Sequence, residues 1–106
     1  MTKQFTLKTK YLDHSVEIYP ATYANGQLAL ELLDPETGER MAVATVAVGN
    51  KLPSGCVAIK NYSENEGMLE ALIAAGLVKA PVDWIRSGFV AIPVCPLVEG
   101  ALEEGE

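Results

Sequence analysis

The chain predicts an α+β fold: a mainly antiparallel β-sheet built from two hairpins plus further strands, with one helix over about residues 64–75 packed on one face. Three observations carry this reading. Ser63-Glu64-Asn65-Glu66 has the spacing of a capping box, hydroxyl to backbone N–H and glutamate back again, and Gly76 follows as a helix stop. Asn25-Gly26 lies between two strand-like stretches and is the pair a type I′ turn wants at its two positive-φ positions. Asp34-Pro35-Glu36-Thr37-Gly38-Glu39 sets proline at a turn position and a glycine where a bulge suits it.

Apolar alternation marks a first strand at Phe5 and Leu7 and a second at Val16 and Ile18. Residues 14–23 should then fold back on 27–34, where Leu28, Leu30 and Leu32 share one face. Leu, Glu and Ala there also suit a helix, and the flanking turns decide for strand. Arg40 to Val48 completes the second hairpin, with Glu17, Glu31 and Thr45 reading as a solvated outer face. After a loop at 49–55, Cys56 to Lys60 is a short β-branched strand. On the helix, Met68, Leu69, Leu72 and Ile73 fall in one arc of the 3.6-residue period and form the buried stripe. Leu77 to Trp84 holds a proline and an isolated tryptophan, with no strand expected. Gly88 to Cys95 is the closing strand, which Pro93 and Pro96 should confine to an edge or end. Residues 1–96 are thus expected to be a single domain, and 97–106, rich in glutamate, a disordered acidic tail.

With 106 residues and 49% apolar composition the chain has material for one core. The longest apolar stretches fall far short of the ~20 residues that span a bilayer, and the polar start lacks a signal-peptide core, so the expected location is cytoplasmic. A formal net charge of −6 argues against a protein that grips phosphate backbones and makes a charged partner basic; solubility is the plain alternative. Cys56 and Cys95 sit in apolar runs and are expected to be reduced, inert thiols. His14, the single histidine, has no glycine-flanked nucleophile beside it, and neither phosphate-cradling glycine motif is present. No catalytic residue, cofactor or metal site is therefore expected. Glu64, Glu66 and Glu70 cluster on one helix, where capping and the helix dipole already account for the first two.

Thr45, the run Ile59 to Gly67 and Arg86-Ser87-Gly88-Phe89 resemble features of small uncharacterised proteins encoded by bacterial phages, plasmids and conjugative elements. That family shares a turn-rich β N-terminal half ending in a strand like Ala42 to Val48, an asparagine near a helix start, as Asn61 or Asn65 would be, and a Ser-Gly-Phe closing strand. The resemblance spans about residues 14–96 and departs at Ala47, Gly49 and Asn50. It implies a non-enzymatic accessory protein of a mobile element, acting in the bacterial cytosol by binding another protein. Inhibition of a host defence system such as a CRISPR effector is one candidate role, because a compact acidic surface complements a basic nucleic-acid channel. The candidate contacts are Glu36 and Glu39 on the second hairpin turn and Glu64, Glu66 and Glu70 on the helix. A flank of small residues, Gly67, Ala71 and Ala74, either reflects helix propensity or admits another backbone at a homodimer or partner interface. The competing reading is a small-ligand or anion-binding domain, or a small enzyme, with Tyr62, Asn65, Trp84 and Arg86 around the helix N-terminus.

Overall fold

A computed structural model describes residues 4–101 as an α+β arrangement of two antiparallel sheets and a short helical segment. Strands β1 (Gln4–Lys8), β2 (Asp13–Thr22), β3 (Leu28–Leu33) and β4 (Arg40–Val43) form a meander in the order β1-β2-β3-β4. Registers Phe5↔Val16 and Ile18↔Leu32 bring the apolar positions of successive strands to one face, where Leu7, Val16, Ile18, Leu30 and Leu32 are buried. A slip of one residue would turn that whole set outward, so burial pins the register.

The β2–β3 turn is where expected, but it is not type I′. Among the described non-glycine residues only Ser63 has positive φ, so Asn25 does not, whereas Gly26 sits at φ 88°. Gly26 N–H donates to Tyr23 O (2.9 Å) and Tyr23 N–H to Gln27 O (2.8 Å), a type I turn followed by a left-handed glycine bulge. Asn25 contributes through its side chain, whose Oδ1 accepts from Gln27 N–H (3.0 Å). The β3–β4 turn is one residue longer: Gly38 N–H donates to Asp34 O (2.8 Å), four residues back, and Asp34 N–H to Glu39 O (2.7 Å), again with a left-handed glycine before the next strand.

The second sheet runs β5-β7-β6, with β5 Cys56–Ala58, β6 Asp83–Ser87 and β7 Val90–Pro96. Two expectations are corrected here. Residues 83–87 form a strand, and β7 is central rather than an edge. Proline is tolerated because β5 ends beside Pro93: only Ile59 N–H to Pro93 O (3.0 Å) is made there, and no donor is needed from Pro93. The two sheets meet at the isolated bridge Thr45↔Ile59. Ala44 N–H reaches back to Leu30 O (2.8 Å), Lys60 N–H donates to Ala44 O (2.9 Å) and Val46 N–H to Ala58 O (3.1 Å). Thr45, expected in solvent, is buried, and its Oγ1 accepts from Leu30 N–H (3.1 Å).

The helical segment is split. A 3₁₀ turn, Ser63–Asn65, precedes α1, Met68–Ala74, with the break at Glu66-Gly67, so the expected single helix over 64–75 starts later than its sequence signal. Ser63 is not the cap: it lies inside the 3₁₀ turn at φ 59° and makes no side-chain cap bond. The acceptor for Leu69 N–H in the first turn of α1 is Asn61 Oδ1, at 2.7 Å from eight residues upstream. The stop is as expected, since Gly76 N–H donates to Ile73 O and Leu77 N–H to Leu72 O, both 3.0 Å, around a left-handed Gly76. Met68, Leu69 and Leu72 are buried, whereas Ile73 is exposed.

Residues 97–101 do not behave as a tail. Leu97 N–H donates to Gly55 O (2.8 Å), Val98 N–H to Leu77 O (3.0 Å), and Ala101 is buried in the core cluster. The rest of the expected tail, 102–106, lies outside the described residues. Correcting the cap changes which substitution matters. Asn61→Ala should cost about 1 kcal/mol in urea unfolding, as loss of a helix N-cap acceptor does. Ser63→Gly should instead gain about 1 kcal/mol by removing left-handed strain.

Candidate functional site

Two of the three glutamates expected on the helix, Glu64 and Glu66, are paired with lysines. Lys60 Nζ donates to Glu64 Oε2 four residues on, and chiefly through this bond the Glu64 carboxyl drops to about 2. Glu66 Oε1 stands 3.5 Å from Lys10 Nζ. Of the five expected acidic contacts, Glu36, Glu39 and Glu70 are exposed without such a cation in contact among the described residues, on two different elements. The structure therefore does not gather them into one acidic patch.

The small-residue flank has an internal explanation. A Cβ on Gly67 would lie 3.3 Å from Thr9 Cα and 3.6 Å from Lys8 O, and Lys10 N–H donates to Glu66 O (2.8 Å). The backbone that approaches closely is the chain's own β1–β2 loop. Ala71 is half-buried against the core and, with Ala74, lines a shallow groove beside Phe5 of β1.

Nor do Tyr62, Asn65, Trp84 and Arg86 converge. Asn65 is buried, and its Nδ2 donates to Val43 O (2.7 Å), which ties the 3₁₀ turn to the end of β4. Tyr62 lies under Lys60 Nζ, 5.8 Å from the ring centroid. Trp84 and Arg86 belong to β6, on the outer edge of the other sheet, and the small cavity at Asn65 is lined by Tyr11, Met41 and Met68 but by neither of them. With α1 only seven residues long, no anion cradle forms at its start.

His14 Nδ1 is 2.6 Å from Ser15 O, and Nε2 stands 3.5 Å from Asp34 Oδ2, a contact that is an ion pair only when the ring is protonated. Asp34 Oδ1 accepts from the N–H groups of Glu36 (2.7 Å) and Thr37 (3.1 Å), which hold its carboxyl below the usual range. This is turn chemistry, and among the described residues no hydroxyl or thiol hydrogen-bonds to the pair. Among the described residues no three His, Cys, Asp or Glu side chains converge as metal ligands, and no helix is long and apolar enough to cross a membrane.

No family model, curated protein or solved structure matches this chain. Its site must be read from its own surface. Two features there escape sequence reasoning. The first is an open cavity of about 650 Å³ between the β2–β3 turn and the 48–55 loop. Gln27 spans it by donating from Nε2 to Asn50 O (2.8 Å) and accepting at Oε1 from Val48 N–H (2.9 Å), while Asn25 Nδ2 donates to Val48 O (3.1 Å). These amides serve as loop ties, so their polar atoms are already paired with the protein. The second is the β6–β7 hairpin, where Phe89 is wholly exposed at the tip, Val82 is 62% exposed and Trp84 54%. The Ser-Gly-Phe turn and the isolated tryptophan were legible as residues, but their joint exposure depends on β6 being an edge strand.

The thiols differ in environment, which separates their expected reactivity. Burial, with a smaller contribution from Cys56, pushes the Cys95 thiol up to about 11, whereas Cys56 is half-buried and lines the 650 Å³ cavity. A thiol reagent should label Cys56 in the native protein and reach Cys95 only on unfolding, as mass spectrometry of timed samples would show. Asp34 sets a pH dependence. Because its folded-state pKa is lowered, its contribution is present above the ordinary carboxylate range near pH ~4 and is lost as pH falls through and below it. Asp34→Ala should therefore flatten the fall of the urea midpoint on acidification.

Proposed function

We propose that this chain is a non-catalytic protein-binding module that engages its partner through the β6–β7 hairpin. The observation that carries the reading is the exposure of Phe89 at the hairpin tip together with that of Trp84 on the edge strand and Val82 just before it. Burying an aromatic side chain of that size is worth about 1.5–3 kcal/mol, and aromatic residues are the usual anchors at the centre of protein interfaces. Of the groups that acid–base or nucleophilic chemistry would draw on, Glu64 is paired with Lys60 and Cys95 is buried. The accessory role implied by the resemblance to phage and plasmid proteins, with a defence effector as one target, fits this reading. Glu36, Glu39 and Glu70 would then be outlying contacts to a basic partner, strengthening encounter more than residence.

The cavity at Gln27 supports a second reading, a small-ligand module, since about 650 Å³ is of ligand size. Its amides already bond the 48–50 backbone, which leaves less for a ligand to gain. Capture from bacterial lysate discriminates the two. The variant Trp84→Ser/Phe89→Ser should lose at least about tenfold in captured partner with its melting unchanged, whereas reversal of Glu36, Glu39 and Glu70 to Lys should mainly reduce salt dependence. Undiminished capture by the hairpin variant overturns the proposal, and a metabolite-dependent rise in melting temperature that Gln27→Ala abolishes favours the cavity.

A further inference from the structure

The β6 edge has a feature beyond its exposed aromatics, namely the direction of its free backbone groups. Gly88-Phe89 is a two-residue turn, so Ser87 and Val90 form a hydrogen-bonded pair, and with the observed register so do Ile85↔Ile92 and Asp83↔Val94. Alternation then points the peptide groups of Trp84 and Arg86 away from β7. The position of Pro93 agrees: it lies opposite Trp84, has no N–H to give, and turns its carbonyl to Ile59 on the other side.

We infer that this edge accepts a second copy of the same chain, two β6 strands pairing antiparallel about Ile85 to join the three-stranded sheets across a two-fold axis. The inference rests on the reading of the β6–β7 hairpin as a surface for association and concerns the backbone edge of β6 alone. A two-fold perpendicular to the sheet keeps each side chain on its own face, so the register must centre on a residue. Centring on Ile85 sets Trp84 opposite Arg86 of the second copy, and Arg86 opposite its Trp84, with both pairs exchanging backbone bonds through the outward groups. Each guanidinium then meets an indole on the same face, a favourable cation–π pairing. Centring on Arg86 would oppose two guanidiniums. Centring on Trp84 would need the Val82 N–H, which already donates to Val94 O (2.9 Å). The charge of the strand also fits a self-partner, because β6 carries one Asp and one Arg and is neutral in a protein of net charge −6. Two copies can meet at this edge without opposing like charges.

One contact restrains the pairing. Asp83 Oδ1 accepts from Trp84 N–H (2.8 Å), shielding the donor that Arg86 O of the second copy would take. Asp83 is therefore a guard on the edge, in keeping with the way natural sheets blunt free strands with charge. The pairing that results is concentration-dependent, and removing the guard strengthens it.

Sedimentation equilibrium over a range of concentrations tests the inference. The parent should show reversible dimerisation, Asp83→Ala a tighter dimer, and Trp84→Lys, which sets an ammonium against the guanidinium of Arg86, a dissociation constant raised at least about tenfold. Trp84→Glu should keep the dimer by replacing cation–π with an ion pair, a result that a generally damaged edge would not give. In a Cys56→Ser background, Ile85→Cys should oxidise to a covalent dimer, since residues opposed at a non-hydrogen-bonded position are about 4.5 Å apart at Cα, within disulfide reach. A parent monomeric at every concentration, with no Ile85→Cys cross-link, overturns the inference, as does a dimer that Trp84→Lys leaves intact. If the chain is monomeric yet Trp84→Ser/Phe89→Ser still loses its captured partner, the self-pairing falls and the binding function stands. If the dimer forms while capture is undiminished in that variant, the binding function falls and the self-pairing stands.

Discussion

One strand changes ladder partners between two sheets at Ala44–Val46, and the remainder of the fold is arranged around that hand-over. Ala44 bonds back to Leu30 and forward to Lys60, while Val46 bonds to Ala58, so a few residues serve as the ladder partner of β3 and of the β5 segment in turn. Thr45 makes the change of partner possible. Where its backbone has turned toward Ile59, its hydroxyl oxygen receives the Leu30 N–H, and Tyr23 OH lies 3.1 Å from the same oxygen and donates to Thr45 O. Without that hydroxyl a buried donor on β3 would be left unmet, which costs more than an ordinary hydrogen bond contributes. Once the hand-over is in place, Val57, Ile59 and Cys95 join the same core as Leu30 and Leu32.

Distant side chains position the helical segment in a similar way. A seven-residue helix has little stability of its own, and most of what it has must come from packing. Three contacts from outside it hold it, two of them long-range: Asn61 supplies its N-terminal acceptor, Asn65 ties the preceding turn to β4, and Gly67 lets the β1–β2 loop come within backbone contact. The residues that suggested an exposed interface and a ligand pocket are thus largely used to seat α1 on the first sheet. Functional readings built on them lose ground for that reason.

What remains unabsorbed by the fold is the far edge. The first sheet is covered by α1 on the β1 side, and the 48–55 loop is tied over the β2–β3 turn by Asn25 and Gln27. The β6–β7 hairpin projects from the opposite end of the strand order, with no described element beyond β6, and Trp84 and Phe89 are exposed there. That edge carries exposed aromatic side chains on a strand whose own charges cancel.

Features that act over a few residues were legible in the chain: the α+β class, the place of both hairpin turns, the Gly76 helix stop and the apolar faces of β2, β3 and, Ile73 excepted, α1. These follow from glycine at positive φ, proline at turns and side-chain period, none of which needs a distant partner. Which side chain caps the helix was a matter of long-range packing, because Asn61 and Ser63 offer equally suitable oxygens and only the bend at Glu66-Gly67 selects between them. Packing also buried Thr45, which alternation placed in solvent, since the strand changes sheets at that residue. Strand β6 was illegible for a related reason: Asp83-Trp84-Ile85-Arg86-Ser87 has no buried face of its own, and its pairing is imposed by β7. The candidate site inherits that blindness, because whether an aromatic is core or surface depends on how many strands lie beyond it, a property of sheet order that no local pattern encodes.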